Sequence, residues 1–112
     1  MRLRTKKYLE DIRMACEGIS QFVTGKTVGD YEKDLMLRSA VERQFIIIGE
    51  ALNQLAYEDR DTAERITDFR EIIGFRNVLV HGYDVADDTV VWDTITKDLP
   101  ILEKEIVKLL AE

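Results

Sequence analysis

Only one cysteine, one proline, one histidine and six glycines occur among the 112 residues, and each scarcity excludes something. A lone cysteine rules out a disulfide framework and any metal site built from several thiolates. Few turn-forming residues argue against a sandwich or barrel, which needs many tight connections. No apolar run approaches the roughly 20 residues that span a bilayer, and the opening MRLRTKKYLEDIR lacks the apolar middle of a secretory signal. A cytoplasmic protein without a membrane segment is therefore expected. Positive charge is also short: 16 Lys and Arg stand against 22 Asp and Glu, a formal charge of −6. On average such a surface repels phosphate, which excludes a general polyanion binder. Any chemistry on nucleic acid has to rest on a local cationic pocket or on a partner's surface.

What is present points to helices. Hydrophobic residues make up 46% and charged residues 34%, the profile of one globular domain, residues 1–112, with charged helix surfaces. Tyr8, Ile12, Ala15, Cys16, Ile19, Phe22 and Val23 recur at steps of three and four, which predicts a helix over 4–24 stopped by Gly25. Cys16 lies on that stripe as a core thiol. A long helix is expected over 31–58, capped by Asp30 and packed on two faces around FIII. Its Gly49 costs about 1 kcal/mol relative to alanine and suggests close approach by a neighbouring helix. Residues 59–67 read as a loop with a helical turn near 63–66. A third helix runs from about Asp68 to Gly82, residues 84–88 form a loop, and a final helical region covers 89–111. Pro100, two residues after Asp98, suggests a fresh helix start there. The expected architecture is an all-α, up-down bundle of four to five helices.

On a helical wheel, FREIIGFRNVLVHGY puts apolar side chains around most of its circumference, so the third helix is expected to be largely buried. Arg70, Gly74, Asn77 and His81 share the one remaining stripe. Arg76 stands roughly 140° from His81 at 100° per residue, among Phe69, Ile72, Ile73 and Val80. A guanidinium there needs an anionic partner. It is either a structural ion pair, to Glu42 or Glu50, or a phosphate-binding arginine whose head bends towards His81. His81, the single histidine, suits proton transfer near neutral pH, although a histidine at a helix end is commonly a cap. A metal site built from His81 with Asp84, Asp87 and Asp88 is not expected, because no second His or Cys joins them. Tyr83 reads from spacing alone as an amphipathic surface ring.

RNVLVHGY also resembles the R-x4-H-x-Y motif of HepT-like proteins, a branch of the HEPN superfamily. YLEDI, AVERQFIIIGEAL and VVWDTITKDLPIL resemble further landmarks of that family in order and spacing, so the likeness covers essentially the whole chain. The resemblance implies a HEPN-type bundle that forms a two-fold dimer with both motifs facing a shared cleft. It implies a toxin ribonuclease of a type VII-like toxin–antitoxin pair acting on RNA such as tRNA or mRNA, without metal or other cofactor. Arg76 and His81 would be the catalytic pair, Asn77 a supporting polar residue, and the product end a 2′,3′-cyclic phosphate. Tyr83 would be the tyrosine that an MntA-like nucleotidyltransferase antitoxin modifies with AMP. The alternative is a non-enzymatic helical module that binds such a nucleotidyltransferase, a reading the acidic surface suits.

Overall fold

Thr5, Leu9, Ile12, Cys16 and Ile19, spaced by three and four residues, place one buried stripe along α1 (Leu3–Val23). Gly25 then takes a φ of +74°, the left-handed conformation that glycine adopts most readily, and the helix stops. The structure, a computed structural model, describes residues 1–82 and 86–112. Among the described residues all regular structure is helical, as the periodicity predicts.

The second expected helix is in fact two. Thr27 and Asp30 form a capping box, each side chain accepting from the other's backbone N–H at 3.2 and 2.9 Å, and this starts α2 (Val28–Lys33). Asp30 therefore sits in the first turn of a short helix and does not cap the long one. The cap of α3 (Leu35–Glu58) is Asp34, whose carboxylate accepts from the Leu37 N–H at 3.1 Å in an extended backbone conformation. Aspartate offers the backbone this alternative to a continuous helix. The bend also lets Tyr31 reach full burial, with its ring 5.6 Å from that of Trp92.

Helix α3 is the centre of the molecule. It packs along α1 on one side and α5 on another, and α7 closes against α1. Leu37, Val41, Phe45, Ile48, Leu52 and Leu55 form its buried spine, with Ile46 and Ile47 packed against the core from beside it. Packing on two faces follows the expectation from FIII. After a single turn, α4 (Arg60–Ala63), the chain enters α5 (Phe69–His81). Thr67 fixes that entry, its N–H and hydroxyl donating to the Glu105 carboxylate at 3.0 and 2.7 Å.

The last region runs as α6 (Asp88–Asp93), a π-helical turn over Thr94–Asp98 and α7 (Leu99–Leu110). The fresh start expected at Asp98 is there: α7 begins at Leu99 with Asp98 in the N-cap position and Pro100 in the first turn, although Asp98 makes no side-chain cap bond and a widened turn leads into it. In that turn the Leu99 N–H donates to Thr94 O, five residues back, and Pro100 follows in the first turn of α7, where a missing N–H is tolerated.

Burial of α5 is less than its wheel suggests. Phe69 and Leu79 are buried, but Val78 and Val80 are 43% and 39% exposed. The reason is its setting: α5 rests chiefly on α3, and nothing among the described residues covers its outer side.

Candidate active site

The α3–α5 contact is tightest where Gly49 meets Arg76. A Cβ on Gly49 would lie 2.2 Å from Cβ and 2.6 Å from Cγ of Arg76, closer than any carbon–carbon contact tolerates. The mid-helix glycine thus accommodates the arginine's stem. Beyond the stem, Nη2 donates to Glu50 Oε1 at 3.3 Å and Nη1 donates to Asn77 Oδ1 at 2.8 Å. Nε is buried without a hydrogen-bond partner. Of the two acidic partners the sequence allowed, Glu50 is the one used.

Glu42 lies in different company. Burial pushes its carboxyl upward, and the nearby Asp88 adds to the rise against the opposing effect of Arg38. The same burial raises the Tyr31 phenol, whose buried hydroxyl finds no partner. Cys16 is the core thiol its position predicts, fully buried and pushed up to about 12, first by burial and then by Glu103.

Arg76 and His81 leave α5 in different directions, and Asn77 is bonded to the first and shares a face with the second. It follows Arg76 directly and accepts from its guanidinium; it also precedes His81 by four residues, which puts Asn77 and His81 on one face a turn apart. Arg70, Gly74, Asn77 and His81 are all exposed, as the stripe predicts. Arg76 is 26% exposed at its side chain, so its head reaches the surface beside that stripe. Of its five N–H donors, one on each terminal nitrogen is engaged within the chain. Among the described residues nothing accepts the second N–H on each.

Tyr83 and Asp84 lie outside the described residues, and so do the roles suggested for them. Among the described residues no group of three or more His, Cys, Asp or Glu side chains is placed to hold a metal ion. No described helix is long and apolar enough to cross a membrane. An apolar groove of about 190 Å³, floored by Phe45, Ile72, Phe75 and Leu102 and rimmed by Asp68, Glu71 and Asp98, opens on another side of α5. Its carboxylate rim makes it the wrong place for a phosphate.

An all-α bundle whose open helix edge carries an asparagine and a histidine, with an arginine bonded to that asparagine from beside the edge, defines a helical domain able to hold an anion near an imidazole. Comparison with known proteins makes the assignment specific. The family described as "Ribonuclease HepT-like" matches residues 12–109, and the chain belongs to that family. It is 36% identical over 105 residues to a protein of Caldanaerobacter subterraneus subsp. tengcongensis named "Putative RNase", covering 94% of this chain and 93% of that one. A protein of Thermococcus cleftensis named "Probable ribonuclease HepT" is 34% identical over 109 residues, 97% and 98% of the two chains. In Methanocaldococcus jannaschii, a protein named "Gamma-glutamylcyclotransferase and putative RNase" is 34% identical over all 112 residues, which span 50% of its length. No solved structure matches.

Spacing alone predicts close helix approach at Gly49 and does not tie it to Arg76. The available signal was its place beside Glu50, one of the two acidic partners weighed for the arginine.

Proposed function

We propose that the chain is the ribonuclease toxin of a toxin–antitoxin pair, cutting RNA without metal through Arg76 and His81 in a cleft shared by two copies. The observation that carries this reading is the half-engaged guanidinium of Arg76, held beside the exposed Asn77–His81 face. In the proposed reaction His81 takes the proton of a ribose 2′-hydroxyl and the 2′-oxygen attacks the adjacent phosphorus. The bond to the 5′-oxygen breaks, leaving a 2′,3′-cyclic phosphate and a 5′-hydroxyl. Arg76 stabilises the charge that builds on the phosphorane oxygens. The leaving oxygen needs a proton, and one chain holds one histidine, so a protonated His81 of a second copy is the natural donor. The outer face of α5 suits a two-fold contact: an added Cβ at Gly74 would meet nothing within 4 Å, and Val78 beside it is exposed.

AMP on Tyr83, added by a nucleotidyltransferase antitoxin, would set a phosphate two residues from His81. That phosphate would compete for the arginine, switching the site off by the electrostatics that bind RNA. The acidic overall charge favours a second reading, a non-enzymatic module that only binds the nucleotidyltransferase.

Purified, unmodified protein incubated with RNA in EDTA separates the two. The ribonuclease reading expects cleavage that is lost in Arg76→Ala and His81→Ala; cleavage that persists in both would sink the assignment of roles. Absence of any cleavage by a folded, unmodified dimer would favour the binding module.

A further inference from the structure

We infer that Glu50 is a positioning residue for Arg76, seated by the notch at Gly49. This rests on the reading of Arg76 as the phosphate-binding group. An arginine on an open helix edge ordinarily samples many rotamers and loses considerable side-chain entropy when fixed. Arg76 is restrained along its whole length instead. Its Cβ and Cγ lie against the bare backbone of Gly49, its Nε is buried, and its two terminal nitrogens are tied to Glu50 and Asn77. Gly49 and Glu50 are consecutive residues of α3, so one stretch of backbone both admits the stem and supplies the anion that aims the head.

The carboxylate of Glu50 has two opposed effects. It orients the guanidinium, and as a negative charge beside the site it repels an incoming phosphodiester. Its side chain is 50% exposed, so as a mere ion pair it would contribute little to stability. Orientation without much stability is the signature of a group that acts through another. The two effects also predict a split in kinetic constants. Removing the side chain lowers kcat, because the arginine no longer meets the transition state in register. It leaves KM for RNA unchanged or lower, because an anion has left the site. Glutamine restores the orientation through its amide oxygen while removing the charge.

Steady-state cleavage of a single-stranded RNA by wild type, Glu50→Ala and Glu50→Gln tests this. Glu50→Ala is expected to lose about tenfold in kcat, the scale of a modest misplacement of a catalytic group, with KM no higher than wild type. Glu50→Gln is expected to recover most of that loss. A kcat for Glu50→Ala equal to or above wild type, or a glutamine variant no better than alanine, would overturn the inference. A second readout needs no cleavage: the Arg76 Nε–H signal in ¹⁵N NMR, assigned by its loss in Arg76→Lys. It is expected to exchange slowly in wild type and Glu50→Gln and quickly in Glu50→Ala. Equal exchange in all three would overturn the positioning role. A protein with the expected exchange pattern that cuts no RNA would instead retire the ribonuclease reading and leave the positioning intact.

Discussion

Two polar groups pack on α3 and are treated oppositely. Asp59, at the C-terminal end of the helix, accepts from the Thr5 hydroxyl at 2.8 Å, the Thr62 hydroxyl at 2.8 Å and the Thr62 N–H at 3.3 Å, with Arg2 at 3.8 Å. Its bonds tie α1, α3 and α4 together. Arg76, roughly a third of the way back along α3 at Gly49 and Glu50, has among the described residues one contact on each terminal nitrogen and a buried Nε with none. Asp59 serves the fold and has its bonds met within it, where an unmet buried bond would cost about 1–3 kcal/mol. On the proposed reading Arg76 serves a ligand, keeping donors free and depending on the fold for its aim.

The largest expected break in that comparison is in activity. His81→Ala is expected to slow RNA cleavage about 10²–10⁴-fold, the usual contribution of a general base, with the unfolding midpoint near wild type because the ring is exposed. Retained cleavage would remove His81 from the reaction. Next is Gly49→Ala, where a Cβ 2.2 Å from that of Arg76 forces α3 and α5 apart. A stability loss of about 1–3 kcal/mol by urea unfolding is expected, as for other overpacked contacts.

Asp59→Ala is expected to cost about 1–2 kcal/mol through loss of a cap and its bonds, with cleavage unchanged. The effect is pH-dependent. The Thr5 hydroxyl foremost, then the Thr62 bonds and Arg2, hold the Asp59 carboxyl below the usual range. A lowered folded pKa gives stability that is present above the unfolded value, near 3.9, and is lost as pH falls through the folded one. The gap between wild type and Asp59→Ala is therefore expected to narrow below about pH 4. Glu42 has the opposite sign, since burial and Asp88 raise its carboxyl. It favours the fold at low pH and loses that contribution as pH rises through its folded pKa. Glu42→Gln is expected to stabilise slightly at pH 7, by about 0.5 kcal/mol after solvent screening, and not at pH 4; calorimetry at both values checks it.

Much of this was legible in the residues. Periodicity alone locates α1, its glycine stop and the exposed Arg70–Gly74–Asn77–His81 edge, because each depends on local spacing. The anomaly of Arg76 was legible too, including Glu50 as one of two partners. What spacing cannot supply is the number of neighbours. The wheel of α5 counts apolar residues but does not say that α3 is the chief element packed on it, so Val78 and Val80 were expected inside. The break at Asp34 goes with Tyr31 packing against Trp92 across the fold, a long-range contact that neither Asp30 nor Asp34 announces by itself. The pairing of Arg76 with His81 as a chemical unit came from family likeness, since on the wheel they diverge; spacing puts Asn77 on the His81 stripe, and the structure adds its bond to the Arg76 guanidinium.

The most direct test of the contrast is Arg76→Ala, with unfolding free energy and RNA cleavage measured on the same preparation beside Asp59→Ala. A loss of about 10²-fold or more in cleavage is expected, as when a transition-state donor is removed, with stability within about 1 kcal/mol of wild type, as for an exposed ion pair. Asp59→Ala is expected to show the reverse. An Arg76→Ala protein that cleaves RNA normally but has lost about 3–5 kcal/mol, the cost of breaking a buried pair, would make Arg76 a structural residue and contradict the account.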